Sequence, residues 1–432
     1  MPPSTALLTD HYELTMLDAA LRSGAAELAC VFEVFARRLP PGRRFGVVAG
    51  TGRLLDELGS FRFGSAELEW LADAGWASPA TLDWLQSYRF TGDVSGFREG
   101  EAYFANEPVL TVEASFAEAV LLETLVLSTL NHDAAIAAAA ARMVAAAEGR
   151  ALVDMGSRRT HEAAAVAAAR AAYLAGFTAT SNLEAGRRYG VPTVGTSAHA
   201  FTLAHASERV AFEAQVAALG TETTLLVDTY DVEEGVRTAV EVCRAAGVPG
   251  PGAVCIDSGN LPAECRRIRS LLDELGAGET AIAVTGDLDE YAIQGLRDAP
   301  ADSYGVGTRL VTGSGAPTAE MIYKLVAIAD RPGPGAPCRP VAKRSAAKAT
   351  VGGRKTVRRI HGADGRAVRD VVTIGGAADG RPLQVPLVIG GEILAQPALA
   401  EVRSYHQQAI AALPEGASSV EPGEAALAVE AR

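Results

Sequence analysis

The chain has 432 residues, of which 48% are hydrophobic and 21% charged, with 44 glycines and 21 prolines spread along it. That length accommodates two or three domains with real cores, and the composition excludes a fibrous chain, a largely disordered one and a small disulfide-stapled scaffold. Acidic residues outnumber basic ones 52 to 39, a formal net charge of −13, which argues against a nonspecific nucleic-acid or anionic-membrane surface.

In chain order, MPPSTALLTDHYELTM has no basic start followed by an apolar core and does not read as a signal peptide. Within it, TDHYELTM (9–16) reads as a capped helix start, with Thr9 or Asp10 capping and Tyr12 packing. Strand-like runs at 30–35 and 109–116, with a helix-rich stretch between them, suggest an α+β domain over 1–120, joined by 338–413. The two most apolar stretches, 117–130 and 134–147, are short and read as core helices rather than membrane spans.

A parallel β/α barrel is expected over 121–337, because from 151 to 329 a short β-rich run, a polar or glycine turn and a helix-like segment alternate. The strands fall at ALVDM (151–155), FTAT (177–180), TVG (193–195), TTLLVDT (223–229), AVCID (253–257), AIAVT (281–285) and SYGVG (303–307). Helices are expected at 161–175, 208–219 and 232–246, the last capped by Asp231. RPGPGAPCRP, after Ala329, punctuates the end of the barrel. Residues 339–359 hold eight basic residues and no acidic one, read as a solvated loop with adjoining strands in preference to a phosphate-binding lid. Residues 414–432 read as an acidic, loosely ordered tail.

In a β/α barrel the loops after the strands line one mouth, so the polar residues there are the candidates for function. They are Gly156 to Arg159, Ser181 and Asn182, Thr196 and His199, Asp228 and Asp231, Asp257 with Ser258 and Gly259, Gly286 and Asp287, then Gly305, Gly307 and Thr308. Glycines at 259, 286, 305 and 307 let backbone amides approach an anion, and carboxylates beside them suit a magnesium ion or ribose hydroxyls. His199, in GTSAHAF, is placed to act as base, shuttle or nucleophile, whereas His205 is assigned a structural role where the next helix begins. No HExxH or Ser/His/Asp order is present. The five cysteines, Cys30, Cys243, Cys255, Cys265 and Cys338, lack CxxC spacing, so neither a disulfide framework nor a zinc ribbon is expected and a reducing cytoplasm is the expected location.

From Thr9 to about Arg359 these stretches, in this order, resemble the nicotinate phosphoribosyltransferase family, which has a type II phosphoribosyltransferase fold. The motifs are TDHYELTM, DMGSRRTHEAA (154–164), GFTATSNLEAGRRYGVPTVGTSAHAF (176–201), IDSGNL (256–261), VTGDLDEY (284–291) and DSYGVGTRLVTGSGAP (302–317). The resemblance implies an irregular β/α barrel of parallel strands beside an α+β domain built from the N-terminal region and C-terminal segments. It also implies an NAD-salvage reaction in which nicotinate, phosphoribosyl pyrophosphate and ATP give nicotinate mononucleotide, pyrophosphate, ADP and phosphate. By the same resemblance ATP phosphorylates His199. The resemblance further implies that Asp257, Ser258, Gly259, Gly286, Asp287, Gly305, Gly307 and Thr308 hold phosphoribosyl pyrophosphate, and that Asp257 with Asp287 hold Mg2+. Arg158, Ser181, Asn182, Thr196 and the position of Cys255 face nicotinate, while Tyr12 reaches the base site across a homodimer interface. Relatives acting on nicotinamide place an aspartate near Asn182, so its absence favours the acid. Two departures stand out: Cys255 where the family usually has arginine, and Met155 where many relatives have phenylalanine. They leave as alternatives a nicotinamide or quinolinate phosphoribosyltransferase, or a catalytically weak relative that binds phosphoribosyl pyrophosphate or a nucleotide.

Overall fold

A computed structural model of the chain describes residues 4–333, 335–343, 350–376 and 378–432. They divide into two compact units, one of Met1–Ala135, Thr318–Ala417 and Pro422–Arg432, the other of Ile136–Pro317 and Ser418–Glu421.

The second unit is a curled, wholly parallel sheet of six short strands. Their order is Ala179–Thr180, Ala151–Asp154, Ser303–Val306, Ala281–Val284, Ala253–Ile256 and Thr224–Leu226. A parallel bridge from Thr180 to Thr193 extends one edge. Burial alternates along each strand: Val254, Ile256, Ile282 and Val284 are fully buried, whereas Ala253, Cys255, Ala281 and Ala283 are only half-buried. Branched side chains therefore fill one face, and small ones line the other. Parallel neighbours need crossovers, supplied here by helices such as Glu162–Ala175, Val232–Ala245 and Leu261–Glu274. Most begin on a short polar residue whose side chain accepts a free backbone amide: Asn182 from Ala185, Ser207 from Val210, Asp231 from Glu234, Asn260 from Ala263. The segments that start the helices are thus the ones that end the strands.

The first unit holds a seven-stranded antiparallel sheet in the order Cys338–Pro340, Met321–Ala329, Ala29–Ala36, Leu110–Ser115, Asp93–Phe97, Gln384–Ile389 and Glu392–Ile393. A four-stranded sheet, Arg381–Pro382, Lys355–His361, Ala367–Ile374 and Ala428–Ala431, belongs to the same unit. One apolar cluster, including Leu17, Val34, Leu55, Leu85, Phe97, Tyr103, Leu121 and Tyr323, forms its core.

Several expectations need correction. Residues 318–337 group with the first unit, because Met321–Ala329 pairs antiparallel with Ala29–Ala36; the barrel unit ends at Pro317, ahead of the Pro/Gly run. The tail is built in: Ala428–Ala431 pairs parallel with Ala367–Ile374, and Val420 and Leu427 are buried. In the basic stretch, Lys355 and Arg359 are buried and ion-paired, while 344–349 lie outside the described residues. The two apolar stretches near the domain boundary form a short helix, Phe116–Val120, and one 25-residue helix, Glu123–Ala147. Among the described residues no helix is long and apolar enough to cross a membrane.

Two buried polar arrangements tie the first unit together. Arg359 donates to both oxygens of Asp370 at 2.8 and 2.7 Å, to Glu101 at 2.6 Å and to the Ala102 carbonyl at 3.0 Å. Near the N-terminus Asp10 makes no side-chain cap; instead the buried carboxylate of Glu13 accepts from the Thr9 hydroxyl and, at 2.8 Å, from the Thr124 amide. Burial pushes the Glu13 carboxyl up to about 7, outweighing the hydrogen bonds that favour its charge.

Arg359→Ala leaves Asp370 buried without its cation and Glu101 with Arg381 alone, and is expected to cost about 3–5 kcal/mol, against under about 1 kcal/mol for the adjacent Arg358→Ala, as read from urea midpoints. The Glu13 shift predicts a pH dependence. A carboxyl whose pKa is higher in the folded state contributes fully below its unfolded pKa, and the contribution is lost as pH rises through the folded value. Wild type should therefore lose stability relative to Glu13→Gln between about pH 4.5 and 7. Parallel thermal melts of the two proteins across that range check it, and parallel curves would refute it.

Candidate active site

In-register parallel pairing brings every strand's C-terminal end to one edge, and the polar residues expected to line a mouth gather there. Cys255 pairs with both Leu226 and Ala283, so the turns beginning at Val227, Asp257 and Thr285 are side by side. Asp228 accepts the backbone amide of Asp257 at 2.8 Å, fastening two of these turns. Gly286 fastens a third: its φ is +101°, and a Cβ there would lie 2.1 Å from the Asp257 carbonyl oxygen, so no other residue fits.

His199 opens the short helix His199–Leu203. Its Nδ1 lies 3.1 Å from the Thr229 hydroxyl and its Nε2 3.5 Å from an Asp257 carboxylate oxygen. One ligand atom from each of His199, Asp228 and Asp257 falls within 4.8 Å of the others. The other Asp228 oxygen, Oδ1, is buried with no hydrogen-bond partner among the described residues. Burial, with the Asp257 carboxylate adding to it, pushes the Asp228 carboxyl up. The two carboxylates, one oxygen of which is desolvated and unsatisfied, are the hard oxygen donors that a divalent cation takes.

The other expected residues fall into three groups. Asn182 is committed twice, its Oδ1 capping the helix Leu183–Tyr189 and its Nδ2 donating to Ser157 at 3.0 Å, so it braces the turn after the first strand. Cys255 lies 3.8 Å from the Thr285 hydroxyl, and burial pushes its thiol up to about 12, which keeps it neutral. Gly305 lies inside its strand, paired with Val153; a Cβ would meet Thr285 Cγ2 at 2.6 Å and Met155 Sδ at 2.7 Å, so packing of Met155 and Thr285 accounts for this glycine. Ser181, Thr196, Ser258, Gly259 and Asp287 are exposed, and Gly307 and Thr308 half-buried at the start of the short helix Thr308–Val311.

Asp287, expected beside Asp257 as a metal ligand, lies outside the grouping of His199, Asp228 and Asp257. Arg158 and Arg159 are both exposed with no ion pair among the described residues, and the Arg159 Cγ lies 4.0 Å from where a Cβ on Gly307 would sit. His205 follows the helix rather than opening one, its Nδ1 2.7 Å from the Phe201 carbonyl oxygen, and the next helix starts at Glu208. Tyr12, in the other unit, is 43% exposed instead of packed.

Sequence reasoning missed Thr229, Thr285 and Glu208. Thr229 and Thr285 end strand-like runs and could have been found by extending the list of strand-end residues by one. Glu208 is buried with Oε1 unpartnered among the described residues, and burial and nearby Glu234, Asp228 and Asp231 push it up to about 7. Nothing in its local sequence marks it.

Residues 7–131 match the family model for the nicotinate phosphoribosyltransferase N-terminal domain. A nicotinate phosphoribosyltransferase of Mycobacterium tuberculosis, pncB1, is 55% identical over 98% of this chain and 94% of its own length. The Bacillus subtilis nicotinate phosphoribosyltransferase is 36% identical over 75% of this chain and 67% of its own. In fold the chain is similar to the crystal structure of human nicotinic acid phosphoribosyltransferase, with a TM-score of 0.84 at 24% identity over 98% of this chain and 97% of that one. With its ordered motifs, curled parallel sheet and near full-length relatives, the chain belongs to the nicotinate phosphoribosyltransferase family.

Proposed function

We propose that the chain joins nicotinate to the ribosyl carbon of phosphoribosyl pyrophosphate, giving nicotinate mononucleotide and pyrophosphate, and that ATP hydrolysis drives the step through His199. The observation that carries this reading is the grouping of His199 with Thr229, Asp257 and Asp228 at the strand ends.

In the transfer the bond from C1 of the ribose to the pyrophosphate oxygen breaks, its electron pair leaves with pyrophosphate, and the pyridine nitrogen supplies the pair for the new bond. Positive charge develops on the sugar, and the carboxylates at the mouth stabilise it. The turns at Ser258–Gly259, Gly286 and Gly307–Thr308 hold the phosphates with backbone amides. A magnesium ion on Asp228 and Asp257 would neutralise pyrophosphate charge.

In the coupled step the Asp257 carboxylate faces Nε2 of His199, favouring the tautomer with its proton there and leaving Nδ1 to attack the terminal phosphorus of ATP. The electron pair of the broken P–O bond leaves with ADP. Water later displaces the imidazole, releasing phosphate. The added negative charge lies beside two carboxylates, so a cation held by Asp228 and Asp257 would be bound more tightly in the phosphorylated state.

Recognition of the acid is supported by the neutral Ser157–Asn182 pair, which places no carboxylate against that of nicotinate. Arg158 or Arg159 supplies a cation. The exposed Tyr12 is available to stack on the base from a second copy, in a homodimer. Five free cysteines favour the cytoplasm.

After ATP and magnesium, the intact protein should carry an acid-labile phosphate that His199→Ala lacks, and the variant should lose the ATP-driven part of nicotinate mononucleotide formation at least about a hundredfold. Intact mass and phosphorus NMR read the first, and product assay the second. Neither phosphate nor product from folded wild type would sink the reading. Cys255→Arg adds a charged donor beside the base and is expected to lower the nicotinate KM about fivefold with little change in kcat. An unchanged KM in steady-state kinetics would mean that an existing arginine already fills that role.

A further inference from the structure

A cavity of about 530 Å³ lies within the first unit, and none of its lining residues belongs to the candidate active site. Its size is in the range of small-molecule sites, roughly 300–1,000 Å³. Three strands make its apolar wall by alternation: Phe35 at the end of Ala29–Ala36, Val372 and Ile374 on Ala367–Ile374, and Val429 and Ala431 on Ala428–Ala431, which pairs in parallel with the strand before it.

The charges lining it are unevenly satisfied. Lys355 Nζ donates to Glu33 at 2.8 Å and to the Gly353 carbonyl at 3.0 Å, and the Lys355 amide donates to the other Glu33 oxygen at 2.7 Å, so this pair cancels internally. Arg432 is held by Glu430 at 3.1 and 3.2 Å. Arg37 is different: its Nε is buried without a hydrogen-bond partner, and its guanidinium has no ion pair among the described residues. Beside it Asn106, exposed in a left-handed turn with φ 65°, also lines the cavity. A half-buried cation without an ion pair is stabilised by an anion beside it.

We propose that this cavity binds a monoanionic amphiphile, a carboxylate on a short apolar body, with the carboxylate on Arg37 and Asn106 and the body against Phe35, Val372 and Ile374. An arginine without an ion pair selects an anion, and the apolar wall selects against small inorganic ones.

Calorimetric titration of the intact chain with octanoate, octanol and octylamine tests it. Octanoate is expected to bind at millimolar concentration or below, octanol at least about tenfold more weakly, and octylamine not at all. Arg37→Gln should weaken octanoate at least about tenfold, and Ile374→Trp, which fills the cavity from its exposed rim, should do the same, each with an unchanged circular dichroism spectrum. Asn106→Asp, which sets a carboxylate against the ligand's, gives a second reading should Arg37→Gln fail to fold. Saturating nicotinate should leave octanoate binding unchanged. Absence of octanoate binding to wild type, equal affinity in the variants, or displacement of octanoate by nicotinate would overturn the proposal, the last by assigning the anion to the barrel mouth.

Discussion

Parallel pairing in register is the constraint on which the barrel unit depends. Each strand there has two to four residues, too few to hold a site by itself. Because neighbours run the same way and match residue for residue, every strand hands its chain over to a turn at one edge. Those turns must cap the next helix, so they are rich in Asp, Asn and Ser, and those are the side chains that bind metals, hydroxyls and phosphates. The helix-capping requirement and the ligand-binding requirement select the same residues at the same places.

Within that edge the turns are locked by backbone as much as by side chains. Asp228 spends one oxygen on the Asp257 amide, and Gly286 lets a third turn approach the Asp257 carbonyl closer than any Cβ permits. The cost is carried by Asp228, whose other oxygen is buried and unsatisfied next to a second carboxylate. Like charges held together in a partly desolvated place store unfavourable energy that a cation relieves. The first unit resolves the same problem differently: Arg359 sits between Asp370 and Glu101 and satisfies both with protein groups alone.

Much of the barrel was legible because strand, turn and helix each leave a local mark. Six of the seven expected strands form, the one at 193–195 survives as a single bridge at Thr193, and the helices at 161–175, 208–219 and 232–246 are found within a residue at each end. What was not legible depends on pairing between distant segments. Met321–Ala329 carries nothing that says it joins Ala29–Ala36 rather than the barrel, and an acidic C-terminal stretch conceals a strand until Ala367–Ile374 is beside it. The site divides the same way. His199 and Asp257 stand in marked motifs, but that Asp228 rather than Asp287 groups with them turns on distances of a few ångströms, and sequence position does not encode them.

By itself, then, the sequence determined the kind of protein this is: a β/α unit with chemistry at its strand ends, in a recognisable family, because periodicity, caps and ordered motifs are local properties of a chain. Only the tertiary structure decided which carboxylates meet, which glycine serves a turn and which serves packing, and where one unit stops and the other resumes. Those outcomes are set by contacts between residues tens to hundreds of positions apart, where burial and close approach give a side chain a role that its neighbours in sequence do not specify.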